Sequence, residues 1–345
     1  MNTDCCKERQ SSVMQCLSIS RFQRPDRRLW FTLCLISFLT LGEIGVGFAQ
    51  DEVAGPLSPH FKLASSGAPI LRARTDLVLV PVTVLDSTQK LVSGLQRDNF
   101  FLVDNQAPQT IKYFSHEDTP LSLTVILDAS GSMATKIEEA RRAAIELLKT
   151  SNEQDEFGLV VFGDKPRIAV DFTNSSDEVV KTVASVQADG FTSLWDGMYL
   201  GLLQQKKASY ARRALVIISD GGDNHSRYTE DEINSALKEA DVQVYAIGVF
   251  DRFLKSSEER MGPLRLDEVT NRTGGRMIAV HDPADIQRAA REISLELRNQ
   301  YVLGYRPTNR TGDGKWRKIK VQLKGTNIRS KLRLYARNGY YGPAE

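Results

Sequence analysis

The sequence predicts an α/β fold, in which a doubly wound, mostly parallel sheet is inserted in a small β domain built from flanking N- and C-terminal strands. Between residues 119 and 298, short apolar runs alternate with stretches of helical spacing. Strands buried on both faces of a parallel sheet have this pattern. On both sides of this region the pattern is strand-like and lacks helices. Because too few strands precede the α/β region to form a stable sheet alone, we expect the two flanks to pair.

The composition is that of a folded protein, with 345 residues, 41% hydrophobic and 26% charged. The formal net charge of +2 gives no reason to expect a nucleic-acid partner. All four cysteines lie within the first 34 residues. The main body therefore has no disulfide framework, zinc-thiolate site or cysteine nucleophile.

The N-terminus has the pattern of an export signal. Arginines precede the apolar run Leu29–Leu41, whose 13 residues suit a signal peptide and are too few for a spanning helix. Gly47 and Ala49 are the small residues that precede a cleavage site. We therefore expect residues 1–49 to be a signal peptide and the protein to be periplasmic or secreted. The alternative is an uncleaved signal that anchors the chain in the inner membrane. Residues 50–72 predict a flexible spacer.

The first flank predicts three strands. Residues 76–86 alternate in a β-branched pattern, and Pro81 within them suggests an edge strand. Phe100–Val103 and Thr110–Phe114 suggest a hairpin around the turn-forming residues 104–108.

The α/β region and the second flank give a longer series. The predicted strands are Leu121–Asp128, Phe157–Phe162 with its hairpin partner Arg167–Phe172, Ala214–Ser219, Val242–Phe250, Arg276–Val280, Gln300–Tyr305, Trp316–Leu323 and Lys331–Ala336. The predicted helices are Ala134–Thr150, Asp177–Val186, Trp195–Lys207, Glu230–Ala240, Leu264–Thr273 and Ala284–Arg298. These segments divide the chain into a first β part at 73–118, an α/β domain at 119–298 and a second β part at 299–345.

A candidate metal site follows the first α/β strand. In an extended loop, residues i, i+2 and i+4 point the same way, so Asp128, Ser130 and Ser132 can converge at the carboxyl end of the sheet. One carboxylate and two hydroxyls suit a hard cation such as Mg²⁺. Gly131 lets the backbone turn between the serines and belongs to the rim of this site.

Two later segments complete the predicted set. Thr192 precedes a helix and Asp220 ends a strand, so both should reach the same edge of the sheet. Asp196 and Asp223 lie in these segments and are assigned to the rim or to the layer behind the ligands. Taken alone, Ser132 or Thr192 could cap a helix and Asp220 could form a turn. Their conjunction in chain order favours the metal site.

These segments resemble a von Willebrand factor A (VWFA) domain with a metal-ion-dependent adhesion site. The resemblance rests on Leu127–Ser132 (Leu-Asp-Ala-Ser-Gly-Ser), Thr192–Asp196 (Thr-Ser-Leu-Trp-Asp) and Ile218–Asn224 (Ile-Ser-Asp-Gly-Gly-Asp-Asn), and it covers about residues 119–298. It implies a Rossmann-like fold and four direct metal ligands, with a fifth acting directly or through water: Asp128, Ser130, Ser132, Thr192 and, as the fifth, Asp220.

The flanks resemble exported bacterial proteins of the VWFA-related, acidobacterial type. Val92–Phe100 and Tyr301–Pro307 carry this resemblance. The family implies a non-enzymatic adhesion module that binds an Asp or Glu carboxylate of a protein partner through Mg²⁺, with Mn²⁺ or Ca²⁺ as alternatives. Two other functions stay open at this point. One is a metal-dependent hydrolase, and the other is an envelope assembly factor that acts independently of the metal.

Other enzyme classes fit the residues poorly. A phosphatase with an aspartate nucleophile needs a second acid where Ser130 stands, and a serine hydrolase needs glycine where Asp128 stands. Residues 298–345 carry twelve basic and two acidic side chains. This basic stretch is either the solvated face of a sheet or a surface for weak contact with anionic envelope components.

Overall fold

The structure is a computed structural model that describes residues 77–251, 257–309, 311–325 and 332–344. All of these residues belong to one unit, Leu71–Glu345. The expected signal peptide and spacer lie outside the described residues. In the described ranges, no helix combines the length and the apolar character that crossing a membrane requires.

Strands and helices alternate through the middle of the chain, as the sequence predicts. In order, the elements are β1 Val78–Leu85, β2 Phe100–Asp104, β3 Ala107–Gln109, β4 Ile111–Ser115, β5 Leu121–Asp128, α1 Ile137–Lys149, β6 Glu156–Phe162, β7 Arg167–Thr173, α2 Ser176–Ser185, α3 Leu194–Gln205, β8 Arg212–Ser219, α4 Glu230–Glu239, β9 Gln243–Val249, α5 Ser257–Thr273, β10 Met277–Val280, α6 Ile286–Arg298, β11 Tyr301–Tyr305, β12 Trp316–Leu323, β13 Arg333–Ala336 and β14 Gly339–Tyr341.

The central sheet has the strand order β10-β9-β8-β5-β6-β7. Its strands are parallel except β7, which pairs antiparallel with β6 as the predicted hairpin. Val125 and Leu127 of β5 pack against one layer of helices, whereas Ile126 packs against the opposite layer. Helices α1, α2 and α6 form the first layer, and α3, α4 and α5 form the second. The doubly wound α/β fold is therefore confirmed.

The flanking strands form two antiparallel sheets, ordered β13-β1-β11-β4 and β14-β12-β2-β3. Each sheet combines strands from before and after the α/β region, so the predicted pairing of the flanks is confirmed. Side chains from both sheets share one core, in which Val82, Leu102, Tyr301 and Ile319 are buried.

The predicted hairpin of the first flank is wrong in its second strand. Strand β2 pairs with the short β3, which the sequence did not predict, around Asn105 and Gln106. Both turn residues have positive φ, 43° and 70°, and asparagine tolerates this conformation in tight hairpin turns. The expected partner, β4, lies in the other sheet and pairs with β11. The C-terminal β14 was also not predicted.

Pro81 does not mark an edge strand, because β1 lies between β13 and β11. Pro81 is opposite Val302 of β11, whereas pairing with β13 covers only Val82–Leu85. Proline has no backbone N–H to donate. Pro81 lies in the half of β1 that, among the described residues, pairs with β11 alone.

Helix α1 begins at Ile137 instead of Ala134, because Gly131–Met133 form a separate 3-10 turn. Helix α5 begins at Ser257, earlier than predicted, and includes Pro263. These shifts concern loops at the carboxyl edge of the sheet, where the candidate site lies.

Candidate metal centre

Asp128 ends β5 and is completely buried. Its Oδ1 accepts hydrogen bonds from the Ser130 backbone N–H at 3.0 Å and from the Ser130 hydroxyl at 2.6 Å. The hydroxyl of Ser219, the last residue of β8, lies 2.5 Å from Asp128 Oδ2 and donates to it. Ser130 Oγ is 3.1 Å from Ser132 Oγ. The structure therefore brings Asp128, Ser130 and Ser132 together, and Ser132 is the exposed member.

Asp220 follows β8 and is also buried. Its Oδ1 accepts a hydrogen bond from the Gly222 N–H at 3.1 Å, whereas its buried Oδ2 has no hydrogen-bond donor. Burial, and secondly the negative charge of Asp220, raise the pKa of Asp128 to about 7. Two buried carboxylates are thus close enough to repel each other.

Thr192 lies in the loop before α3 and is buried. Its N–H donates to Asn224 Oδ1 at 2.9 Å, and its carbonyl accepts from the N–H groups of Asn224 and His225 at 3.0 and 2.9 Å. On the other side of this loop, the Gly131 N–H donates to the Gly190 carbonyl at 2.9 Å. The Thr192 loop therefore lies between the serine turn and the loop that follows Asp220.

The two predicted rim carboxylates bind backbone groups of neighbouring loops. Asp196 accepts from the N–H groups of Arg227 and Tyr228 at 2.8 and 3.0 Å. Asp223 accepts from the Leu194 N–H at 2.9 Å. These bonds tie the start of α3 to the loop after β8, and so they fix the backbone around Thr192.

Two polar residues of the cluster were missed by sequence reasoning. Ser219 ends an apolar strand next to Asp220, and that polar position was a readable signal. Lys136 precedes α1, and its Nζ lies 3.5 Å from Asp220 Oδ2 and 3.4 Å from Asp251 Oδ2. The sequence pattern contains no signal for this lysine, since a basic residue before a helix is common.

The donor set fits a hard divalent cation. Among the described residues, no group of three His, Cys, Asp or Glu side chains is placed to hold a metal, so the candidate site depends on hydroxyl oxygens. Mg²⁺ accepts such oxygens together with one or two carboxylates. The buried Asp220 Oδ2 lacks a hydrogen-bond donor, and a bound cation would satisfy it.

An exposed aromatic pair lies beside the cluster. The Phe191 side chain is 58% exposed and stacks on His225, with ring centroids 5.1 Å apart and an interplanar angle of 20°. Both rings adjoin Thr192, because Phe191 precedes it in the chain and the His225 backbone bonds to it.

Comparison with known proteins gives a family and distant relatives. Residues 122–292 match the model of the von Willebrand factor type A domain. An uncharacterized protein of Borreliella burgdorferi is 24% identical over 207 residues, which are 53% of this chain and 60% of that protein. Inter-alpha-trypsin inhibitor heavy chain H4 of Homo sapiens is 22% identical over 271 residues, which are 71% of this chain and 28% of that protein.

Among solved structures, a von Willebrand factor type A protein from Catenulispora acidiphila is similar at 12% identity and a TM-score of 0.46. The match covers 77% of this chain and 73% of that one. The chain spans 60% or less of the curated relatives named above. The matched region contains the α/β sheet and all five candidate ligands. By the domain at residues 122–292, this chain is a von Willebrand factor type A domain protein.

Proposed function

We propose that the protein is an exported, non-enzymatic binding module that captures a carboxylate of a partner protein. The residues that would hold Mg²⁺, with Mn²⁺ or Ca²⁺ as alternatives, are Asp128, Ser130, Ser132, Thr192 and Asp220. When bound there, the cation would supply an electrophilic centre for an Asp or Glu side chain of the partner. The observation that carries the proposal is the oxygen cluster around Asp128 and Asp220, in which the buried Asp220 Oδ2 lacks a hydrogen-bond donor and has only a loose ion pair with Lys136, at 3.5 Å.

The chain's own residues prepare this site. Hydroxyl donors on both oxygens hold Asp128 in one orientation, which preorganises its carboxylate for a ligand. Ser132 is exposed, which places one edge of the cluster in contact with solvent and within reach of a partner.

The Phe191–His225 pair supports recognition of a protein. Aromatic side chains are enriched among the residues that dominate binding energies at interfaces. A partner whose carboxylate reaches the cluster would bring its neighbouring side chains onto this exposed pair. We therefore expect the preferred partner segment to carry an apolar side chain close to its acidic residue.

The contacts favour binding over hydrolysis. Asp196 and Asp223 accept hydrogen bonds from backbone N–H groups, and His225 stacks on Phe191. The two aspartates therefore hold loops in place, and His225 forms part of the exposed surface. A hydrolase, in contrast, needs a general base aimed at the reacting atoms.

The first experiment measures Mn²⁺ binding to the exported protein by calorimetry, comparing the wild type with Asp128→Ala. We expect a loss of affinity of about a hundredfold, because a central carboxylate ligand is removed. Asp177→Ala, an exposed acid in the first turn of α2, is the matched control and should bind as the wild type does. Equal affinity of Asp128→Ala and wild type would place the metal elsewhere and refute the site.

The second experiment uses the same proteins to capture partners from an envelope extract with and without EDTA. Capture that survives both Asp128→Ala and EDTA would support the metal-independent assembly factor instead. Mg²⁺-dependent hydrolysis that disappears in Asp128→Ala would support the hydrolase.

N-terminal mapping of the exported protein tests cleavage after Ala49 against an uncleaved anchor.

A further inference from the structure

Lys136 is a buried cation beside the candidate ligands. Its side chain is 10% exposed, and its ammonium lies 3.5 Å from Asp220 Oδ2 and 3.4 Å from Asp251 Oδ2. Direct charge-assisted hydrogen bonds between nitrogen and oxygen are about 2.7–2.9 Å long. Removing an ammonium from water costs free energy, and pairs this loose do not recover that cost well. The burial of Lys136 therefore destabilises the fold, which suggests that the residue is placed there for function.

The lysine faces the atom that a metal would need. Asp220 Oδ2 is the buried carboxylate oxygen without a hydrogen-bond donor, and Lys136 is the charged group beside it. A divalent cation held by Asp220 would lie near the ammonium, and the two positive charges would repel each other. Lys136 should therefore weaken cation binding.

The same charge has the opposite effect on an incoming carboxylate. Asp128, Asp220 and Asp251, when ionised, are balanced by one ammonium together with one divalent cation. Without the ammonium, the loaded site would keep an excess negative charge, which would repel an acidic side chain. Lys136 should therefore strengthen carboxylate capture.

We propose that Lys136 is a specificity-determining residue that lowers the affinity of the site for its cation and raises the affinity of the loaded site for a carboxylate. This inference rests on the proposed function for the presence of the cation. A purely structural role makes a different prediction. If Lys136 only tied the loop of Asp251 to that of Asp220, its removal would weaken both kinds of binding.

The test compares the full exported chain with Lys136→Met, which keeps the length of the side chain and removes its charge. Mn²⁺ affinity is measured by calorimetry, and acetate serves as the carboxylate probe, detected through water-proton relaxation of the bound Mn²⁺. We expect Lys136→Met to bind Mn²⁺ about tenfold more tightly and acetate several-fold more weakly. Lys149→Met, at the exposed far end of α1, is the control and should change neither.

A second variant protects the test if Lys136→Met fails to fold. Asp251 is 51% exposed in its side chain, so Asp251→Asn is expected to fold. It removes a negative charge that partly offsets Lys136, and the two affinities should shift in the reverse directions. Mn²⁺ should bind several-fold more weakly and acetate more tightly.

The outcomes separate the two proposals. Unchanged or weaker Mn²⁺ binding by Lys136→Met, with a wild-type unfolding midpoint, would overturn the role of Lys136 and leave the metal site intact. Tighter Mn²⁺ binding by Asp251→Asn would also overturn it. Wild-type Mn²⁺ affinity in Asp128→Ala would instead refute the site itself.

Discussion

Two buried polar clusters lie at opposite ends of the central sheet, and they differ in how their buried carboxylates are neutralised. At the amino end, Arg276 precedes β10 and donates from Nε to Glu296 Oε1 of α6 at 2.8 Å, and its Nη2 donates to the same oxygen. At the carboxyl end, the carboxylates of Asp128 and Asp220 are buried, and the Lys136 ammonium lies at a loose 3.5 Å from Asp220 Oδ2.

The difference supports the proposal that the amino-end cluster is structural and the carboxyl-end cluster is a binding site. A buried carboxylate is tolerated when a hydrogen-bonded cation neutralises it, as Arg276, which also lies 3.5 Å from Glu292, does for Glu296. At the carboxyl end, the two buried carboxylates have one loosely placed ammonium beside Asp220, and this excess of negative charge costs stability. Such imbalance is typical of binding sites, where the missing charge is supplied by a ligand. Substitutions at the two ends should therefore affect stability and binding in different ways.

The largest effect on stability is expected at the amino end. Arg276→Met leaves the Glu296 side chain, which is 2% exposed, buried without its cation. We expect the free energy of unfolding to fall by about 3 kcal/mol in urea titrations. The Mn²⁺ affinity of the folded protein should be unchanged.

Arg288→Met is the matched control for Arg276→Met. Arg288 makes an ion pair with Glu292 on the same helix, but its side chain is 56% exposed. Its loss should lower the free energy of unfolding by less than about 1 kcal/mol, because solvent screens exposed pairs. Equal losses for the two arginines would mean that the amino-end cluster is not the structural one.

A smaller loss of stability, combined with weaker metal binding, is expected from Gly190→Ala. Gly190 has φ +78°, and a Cβ there would lie 2.2 Å from the Asp164 carboxylate. Its carbonyl accepts the Gly131 N–H, so movement of this loop displaces the candidate ligands on both sides of it. We expect the free energy of unfolding to fall by about 2 kcal/mol and the Mn²⁺ affinity to fall about tenfold.

Gly94→Ala separates strain from displacement. Gly94 has φ +82°, but a Cβ would meet no atom within 4 Å. This variant should incur only the backbone penalty of about 1 kcal/mol and keep its Mn²⁺ affinity. If it loses as much affinity as Gly190→Ala, the loop contact is not the cause.

The smallest expected effect is a gain in stability, from Asp128→Asn. Asp128→Asn keeps the size of the side chain and removes a buried charge that the Asp220 carboxylate disfavours. In EDTA we expect the variant to be about 1 kcal/mol more stable than the wild type. Thermal unfolding with and without Mg²⁺ checks this, since the ion should stabilise only the wild type. A less stable variant in EDTA would show that the carboxyl-end carboxylate stabilises the fold.

The meeting of Asp128 and Asp220, the two candidate carboxylate ligands, could be predicted because the ends of buried strands are readable from the sequence. Asp128 and Asp220 each follow an apolar run, so their meeting at one edge follows from parallel pairing. The contacts of Lys136 could not be predicted, because its partners come from the loops after two other strands. The predicted pairing of β4 was wrong for a similar reason. Local pattern indicated a hairpin, whereas its partner β11 comes from the far end of the chain.

That β4–β11 pairing has a consequence for biosynthesis. Strands β1, β2 and β4 are synthesised first, but their neighbours β11, β12 and β13 follow only after the whole α/β domain. Pairing across so long a segment is entropically costly and slow unless the segment is already compact. Because the α/β domain starts and ends next to this pair, its folding brings the two halves of the β domain within reach. We therefore expect a nascent chain that ends before β11 to expose unpaired strands, and the von Willebrand factor A domain to act as the internal template on which the surrounding β domain assembles.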